Sequence, residues 1–179
     1  GVVSYTEFVE IELAEPMEVE KAALALDAAL PRGIRVLAAD AVDTHHAALM
    51  SQAAGASYRI TLPYSKDVSA AVAEFNAAPE LLFKKAAPKT KAKFKEIDVK
   101  FYIPQLTAEQ TETETIFSFD CKITPTGSMK AVDLLNALNE QYGLALPVEM
   151  ADIERLRLYR NNKNGKPIPM LNSDAVTLG

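Results

Sequence analysis

The order in which two-residue alternation and helical apolar stripes follow one another restricts this chain more than any other feature. Val9, Ile11 and Leu13 alternate with Glu10 and Glu12, the period of a strand with one wet face. Pro16 sits where a helix can begin. Val19, Ala22 or Ala23, Leu26 and Leu30 follow at helical spacing until Pro31-Arg32-Gly33 stops the run. Ile34, Val36 and Ala38 then alternate again as a strand. Residues 44–56 are alanine-rich, with Leu49 and Met50, and predict a short connector helix. The pattern restarts with Tyr58, Ile60, Leu62 and Tyr64 on a strand and Ser65 as a candidate N-cap. Val68, Ala71, Val72 and Phe75 form the next helical stripe, closed by Pro79. Ile97, Val99, Phe101 and Ile103 predict a strand ended by Pro104, followed by a polar loop through Glu109, Glu112 and Glu114. Phe117, Phe119, Cys121 and Ile123 predict the return strand. Gly127-Ser128 opens a helix carrying Val132, Leu135 and Leu138 and ending near Gly143. The last strand is Ile153 to Tyr159, with Leu156 and Leu158 on one face and Arg155, Arg157 and Tyr159 on the other.

These elements order residues 57–160 as β-α-β-β-α-β, the ferredoxin-like split unit, and residues 6–42 as β-α-β, half of the same plan. The expected fold is therefore α+β, with antiparallel sheets and helices on one face. A partial half unit (1–43) and a connector helix (44–56) precede a ferredoxin-like domain (57–160), and a polar Pro/Gly-punctuated tail (161–179) follows. A half unit leaves strand edges with unpaired backbone groups. We expect Val9–Leu13 and Ile34–Ala38 to be covered by a second copy of the chain, by its other half, or by the tail strand candidate Val176 to Leu178.

Of the 179 residues, 49% are apolar, enough for a sizeable core. No run approaches the roughly 20 apolar residues of a membrane span, and the start has no basic segment of a signal peptide. A lone cysteine, Cys121, cannot form an internal disulfide, which points to a reducing, cytoplasmic setting. The net charge of -5 argues against a chain dedicated over its whole surface to nucleic acid. It hides an uneven distribution. Residues 1–20 carry Glu7, Glu10, Glu12, Glu15, Glu18 and Glu20 and no Lys or Arg. Residues 84–100 carry Lys84, Lys85, Lys89, Lys91, Lys93, Lys95 and Lys100 against Glu96 and Asp98.

Few residues offer catalysis. Cys121 alternates with Phe119 and Ile123 and reads as a small buried hydrophobe. His45 and His46 are adjacent, so on a helix they face apart and make poor joint metal ligands. Glu10 and Glu12 share a strand face with no obvious base beside them and read as solvated. The seven glycines form neither a phosphate-cradling loop nor a nucleophile elbow. No cofactor and no metal site is expected, and an enzyme is the least supported reading. The lysine run is the sharpest surface signal. Spaced cations can follow a phosphate backbone, with Phe94 and Tyr102 near enough to stack on bases. Its bland counterpart is a solvated hairpin arm balanced by Glu109, Glu112 and Glu114. Arg155, Arg157 and Arg160 extend a basic face if they share it with Lys100.

Several stretches carry a family resemblance. They are Gly1-Val2-Val3-Ser4, Phe8 to Leu13, Glu15-Pro16, and Leu26 to Leu37 with its Pro31-Arg32-Gly33 turn. Ala48-Leu49-Met50 ahead of Ala56 to Ile60, and Thr124 to Ser128, add to them. Together they resemble the radical-SAM-linked domain family of unknown function, whose members lie beside or fused behind B12-binding-type radical SAM proteins in bacteria. That family has a further segment, with an Arg-rich helix, before the position of Gly1. This chain is expected to be a fragment or to lack it. The resemblance implies a radical SAM partner. A single cysteine cannot hold the three-cysteine cluster of such an enzyme, so the chain is not itself the radical enzyme. Two functions follow: a non-catalytic accessory domain for a radical SAM protein, or an RNA-binding module of an RNA-modification system using Lys84–Lys100.

Overall fold

The structure, a computed structural model, describes residues 2–43, 45–86 and 93–178. Numbered along the chain, the first strands are β1 Val2–Ser4, β2 Ala38–Ala39, β3 Gly55–Leu62, β4 Leu82–Ala86 and β5 Phe94–Asp98. They are followed by β6 Leu106–Gln110, β7 Thr115–Thr124, β8 Gly127–Ser128, β9 Asp152–Asn161, β10 Pro167–Pro169 and β11 Val176–Thr177. The helices are α1 Val19–Ala29, α2 Leu49–Gln52, α3 Ser69–Ala77, α4 Val99–Tyr102 and α5 Ala131–Tyr142. The chain is mixed α+β with several sheets, and it divides into two compact units.

The larger unit comprises Gly1–Glu7 and Ala53–Tyr159. Its main sheet runs β1-β9-β3-β7-β6. β3 is antiparallel to both β7 and β9, and β6 is antiparallel to β7. Alternation along these strands sends Ile60, Leu62, Leu106, Phe117, Phe119, Cys121 and Ile153 into one core, joined there by Phe75 of α3 and Leu134, Leu135 and Leu138 of α5. Thr115 is buried among them without cost, because its hydroxyl donates to the Tyr64 carbonyl at 2.6 Å and accepts from Gln110 Nε2 at 2.8 Å. Gly55 lies opposite Tyr159, and a side chain there would collide with the Tyr159 ring. Gly143 ends α5 in the left-handed conformation, φ 64°, as its place in the sequence predicts.

Several expected elements differ. The run Ile97 to Ile103 is not one strand. It is β5 followed by α4, because the Asp98 carboxylate accepts the Lys100 N–H and caps a helical turn. The polar loop after Pro104 is largely β6, whose polar Thr107 and Glu109 face water while Leu106 is buried. The cap position of α3 is Val68 and not Ser65, and it carries no side-chain cap; Asp67, one residue earlier, accepts from the Ser69 N–H at 2.9 Å. Gly127-Ser128 forms β8, paired with Ile123 and Thr124 through a turn that Gly127 makes possible at φ 131°, so α5 starts later, at Ala131. The sheet is also not purely antiparallel, since β1 joins β9 in parallel.

The smaller unit comprises Phe8–Gln52 and Arg160–Gly179. Its buried hydrophobic side chains, among the described residues, are Ala23, Leu49 and Met170. α1 holds the following chain through Asp27, whose carboxylate accepts from Arg35 Nε at 2.9 Å and from the Val36 N–H at 2.8 Å. The strand expected over Ile34–Ala38 shrinks to β2, because that carboxylate takes the Val36 N–H away from any ladder. β2 is paired antiparallel with β11, and Leu178 adds a bond to the Leu37 carbonyl, so part of the tail is ordered as a covering strand. Val9–Leu13 forms no strand at all, since it has no ladder partner among the described residues.

Candidate functional site

β4 and β5 form a two-stranded sheet of their own, separate from the main sheet. The register pairs Leu82 with Asp98, Phe83 with Ile97, Lys84 with Glu96, Lys85 with Lys95, and Ala86 with Phe94. Strand alternation then assigns each lysine a different setting. Phe83, Lys85, Lys95 and Ile97 share the inward face. Phe83 is buried in the core, and Lys85 Nζ meets Asp133 Oδ2 of α5 at 2.6 Å. That carboxylate is also near the Lys130 N–H at the start of α5, where a negative charge favours the helix. Lys85 is thus a strut. Leu82, Lys84, Ala86, Phe94 and Glu96 share the outward face, with Leu82 50% and Phe94 60% exposed. Lys93, Lys84 and Lys95 are exposed, and Lys93 adopts a left-handed φ of 58°. Lys89 and Lys91 lie outside the described residues.

Lys100 does not belong to this surface. It sits on α4, its ammonium 4.6 Å from the centre of the Phe75 ring, and it donates to the Pro104 carbonyl at 2.5 Å. Desolvation lowers its pKa below the usual lysine value. Nor do Arg155 and Arg157 share a face. The register of β9 against β3 shifts between Ser57 and Tyr58, placing Arg157 opposite Ser57 and Arg155 opposite Tyr58. An extra residue on one strand flips the side-chain alternation beyond it. Arg155 is bound to Glu7 and Ser4, whereas Arg157 donates to Ser57 Oγ at 2.8 Å and packs over the Tyr159 ring. Ser57 in turn donates to Asp120. The open face of β3 therefore mixes Arg157 and Arg59 with Asp120 and Glu154, and carries no uniform charge.

The smaller unit holds a cavity of about 170 Å³ lined by Asp40, His46, Leu49, Arg160, Met170 and Asn172, among others. A polar clasp closes one side. His46 Nε2 lies 2.5 Å from Glu10 Oε1, its Nδ1 lies 2.6 Å from the Asp43 carbonyl, and Glu10 accepts the Leu49 N–H at 2.9 Å. The Glu10 hydrogen bond, then that of Asp43, raises the His46 pKa above its ordinary value. The Leu49 N–H, then His46, holds the Glu10 carboxylate below its own. Sequence reading places Glu10 on a solvated strand and His46 on the surface. It misses their meeting because 36 residues separate them and no spacing rule joins them. Cys121 is buried, and burial raises its thiol pKa, so it is not a ready nucleophile. Among the described residues no three or more His, Cys, Asp or Glu side chains gather as a metal site, and no helix is long and apolar enough to cross a membrane.

Compared with known proteins, residues 1–134 match the family described as an uncharacterized protein conserved in bacteria (DUF2344), and the chain belongs to that family. No curated protein matches it.

Proposed function

We propose that this member of the bacterial family is a non-catalytic accessory domain that docks onto a radical SAM protein in the cytoplasm. The observation that carries the docking reading is the surface of the smaller unit. Val9 is 71% exposed, Ile11 54%, Leu13 46%, Ile34 54% and Leu37 61%. We read these exposed apolar side chains as a contact surface. Glu12, Glu15, Glu18 and Glu20 accompany them in sequence, so the occupant that fits is a protein surface combining apolar and basic groups. The radical SAM class comes from the resemblance over the first 40 residues, and the lone cysteine supports both a reducing setting and the need for a separate cluster-bearing protein. The β-α-β-β-α-β succession of β3, α3, β6, β7, α5 and β9, with β3 between β7 and β9, supports a ferredoxin-like reading of the larger unit.

The test is co-expression with the B12-binding-type radical SAM protein of the source bacterium, followed by size-exclusion chromatography with light scattering. Co-elution is expected, and Ile11→Lys with Leu37→Lys should abolish it. Separate elution of the two wild-type proteins at tens of micromolar would overturn the reading.

A further inference from the structure

We infer that the β4–β5 arm is a binding surface for a single strand of nucleic acid, with Phe94 as the stacking platform and Lys84 and Lys93 as phosphate contacts. The inference rests on the arm alone and stands apart from the radical SAM reading. Three structural facts carry it.

First, the arm shows an aromatic ring to solvent on the outward face that it shares with the half-exposed Leu82. Phe83 is buried and Ile97 packs against the core, whereas Phe94, on the opposite face, is 60% exposed. Its cross-strand partner is only Ala86, so nothing large stands over the ring from that side. A flat ring left open on a rigid strand is what base stacking uses, and it accepts any base because every base has a π-face.

Second, cations lie beside that ring. Lys93 precedes it along the chain, and Lys84 is its diagonal neighbour on the outward face. On the inward face Lys95 lies directly across the ladder from Lys85. Asp133 neutralises Lys85. Lys93, Lys84 and Lys95 have no carboxylate within salt-bridge distance among the described residues.

Third, the acids of the arm are limited in effect. Asp98 is engaged by the Lys100 and Leu81 N–H groups. Glu96, opposite Lys84, is the remaining acid of the outward face, and it lowers the affinity expected there. An acidic protein segment could answer the lysines, but it would leave the Phe94 ring unmatched. The ring beside the cations is what favours nucleic acid.

The experiment uses the purified full chain and fluorescence anisotropy with a fluorescein-labelled uridine dodecamer, a thymidine dodecamer, a duplex of matched length and a glutamate decamer. Single-stranded oligonucleotides should bind and the duplex and peptide should bind more weakly. Better binding of uridine than thymidine would identify RNA as the strand, and equal binding would assign either nucleic acid. Phe94→Ala should weaken binding about 5- to 100-fold, the range of one lost stacked base. Gln at positions 84 and 93 together should flatten the dependence of log affinity on log salt by about 1.4. Both variants change exposed positions, and circular dichroism verifies the fold. Met150→Ala, an exposed apolar position off the arm, should bind as wild type. No oligonucleotide binding at about 50 mM salt, a glutamate decamer that binds as well, or undiminished binding by Phe94→Ala would each overturn the inference.

Discussion

Two alternating runs of this chain meet opposite fates. Ile60 and Leu62 of β3 are wholly withdrawn from water, with β7 on one side and β9 on the other. Val9, Ile11 and Leu13 alternate as regularly, yet stay exposed and form no strand. The difference lies in the neighbours. Backbone N–H and C=O groups gain nothing from extension unless a second strand pairs them, and an apolar face stabilises only when another layer covers it. The larger unit supplies both within itself. The smaller unit keeps few buried hydrophobic side chains and relies on polar ties: Asp27 to Arg35 and Val36, Glu10 to His46 and Leu49.

The contrast can be broken in three places. The largest effect is expected at Phe117, fully buried at the centre of β7. Phe117→Ala should cost about 3–5 kcal/mol in urea unfolding, and a loss under about 1 kcal/mol would mean that the larger unit is not one packed core. A smaller effect concerns the clasp. The His46 pKa is raised above its ordinary 6.5, so its contribution is complete below about 6.5 and fades as pH rises through the raised value. The Glu10 pKa is lowered below its ordinary 4.5, so its contribution is complete above 4.5 and fades as pH falls through the lowered value. The clasp is therefore firmest between these two pH values. Hydrogen exchange at the Leu49 amide, corrected for intrinsic rates, should show protection falling as pH rises above 6.5 and through the raised His46 value. Glu10→Gln should flatten that profile, and an unchanged profile would remove the clasp from the account. The smallest effect is expected at Ile11. Ile11→Ser should change stability by no more than about 0.5 kcal/mol, since the side chain is half in water already. A loss of 2 kcal/mol would show that residues 8–13 are packed after all.

Much of the larger unit was legible residue by residue. The runs at Tyr58–Leu62, Phe117–Ile123 and Ile153–Tyr159 are strands, and the stripes at Val68–Phe75 and Val132–Leu138 are helices. Period and composition state these locally. Ile97 to Ile103 misled because Asp98 offers a cap that competes with strand extension, a choice the apolar spacing does not register. The site was half legible. The lysine run announced a basic arm, but the cross-strand register decided which lysines are spoken for, and a bulge separated Arg155 from Arg157.

The sequence by itself determined the α+β character, the core of the larger unit, the shortage of groups for cluster or thiol chemistry, and the placing of positive charge near residues 84–95. These follow from periodicity and side-chain chemistry, which act over a few residues. Only the tertiary structure decided that Lys85 and Lys100 are struts, that Phe94 stands open, that β11 pairs with β2, and that Glu10 meets His46. Those outcomes depend on which distant backbone groups pair, and pairing across such separations is set by the packing of the whole unit.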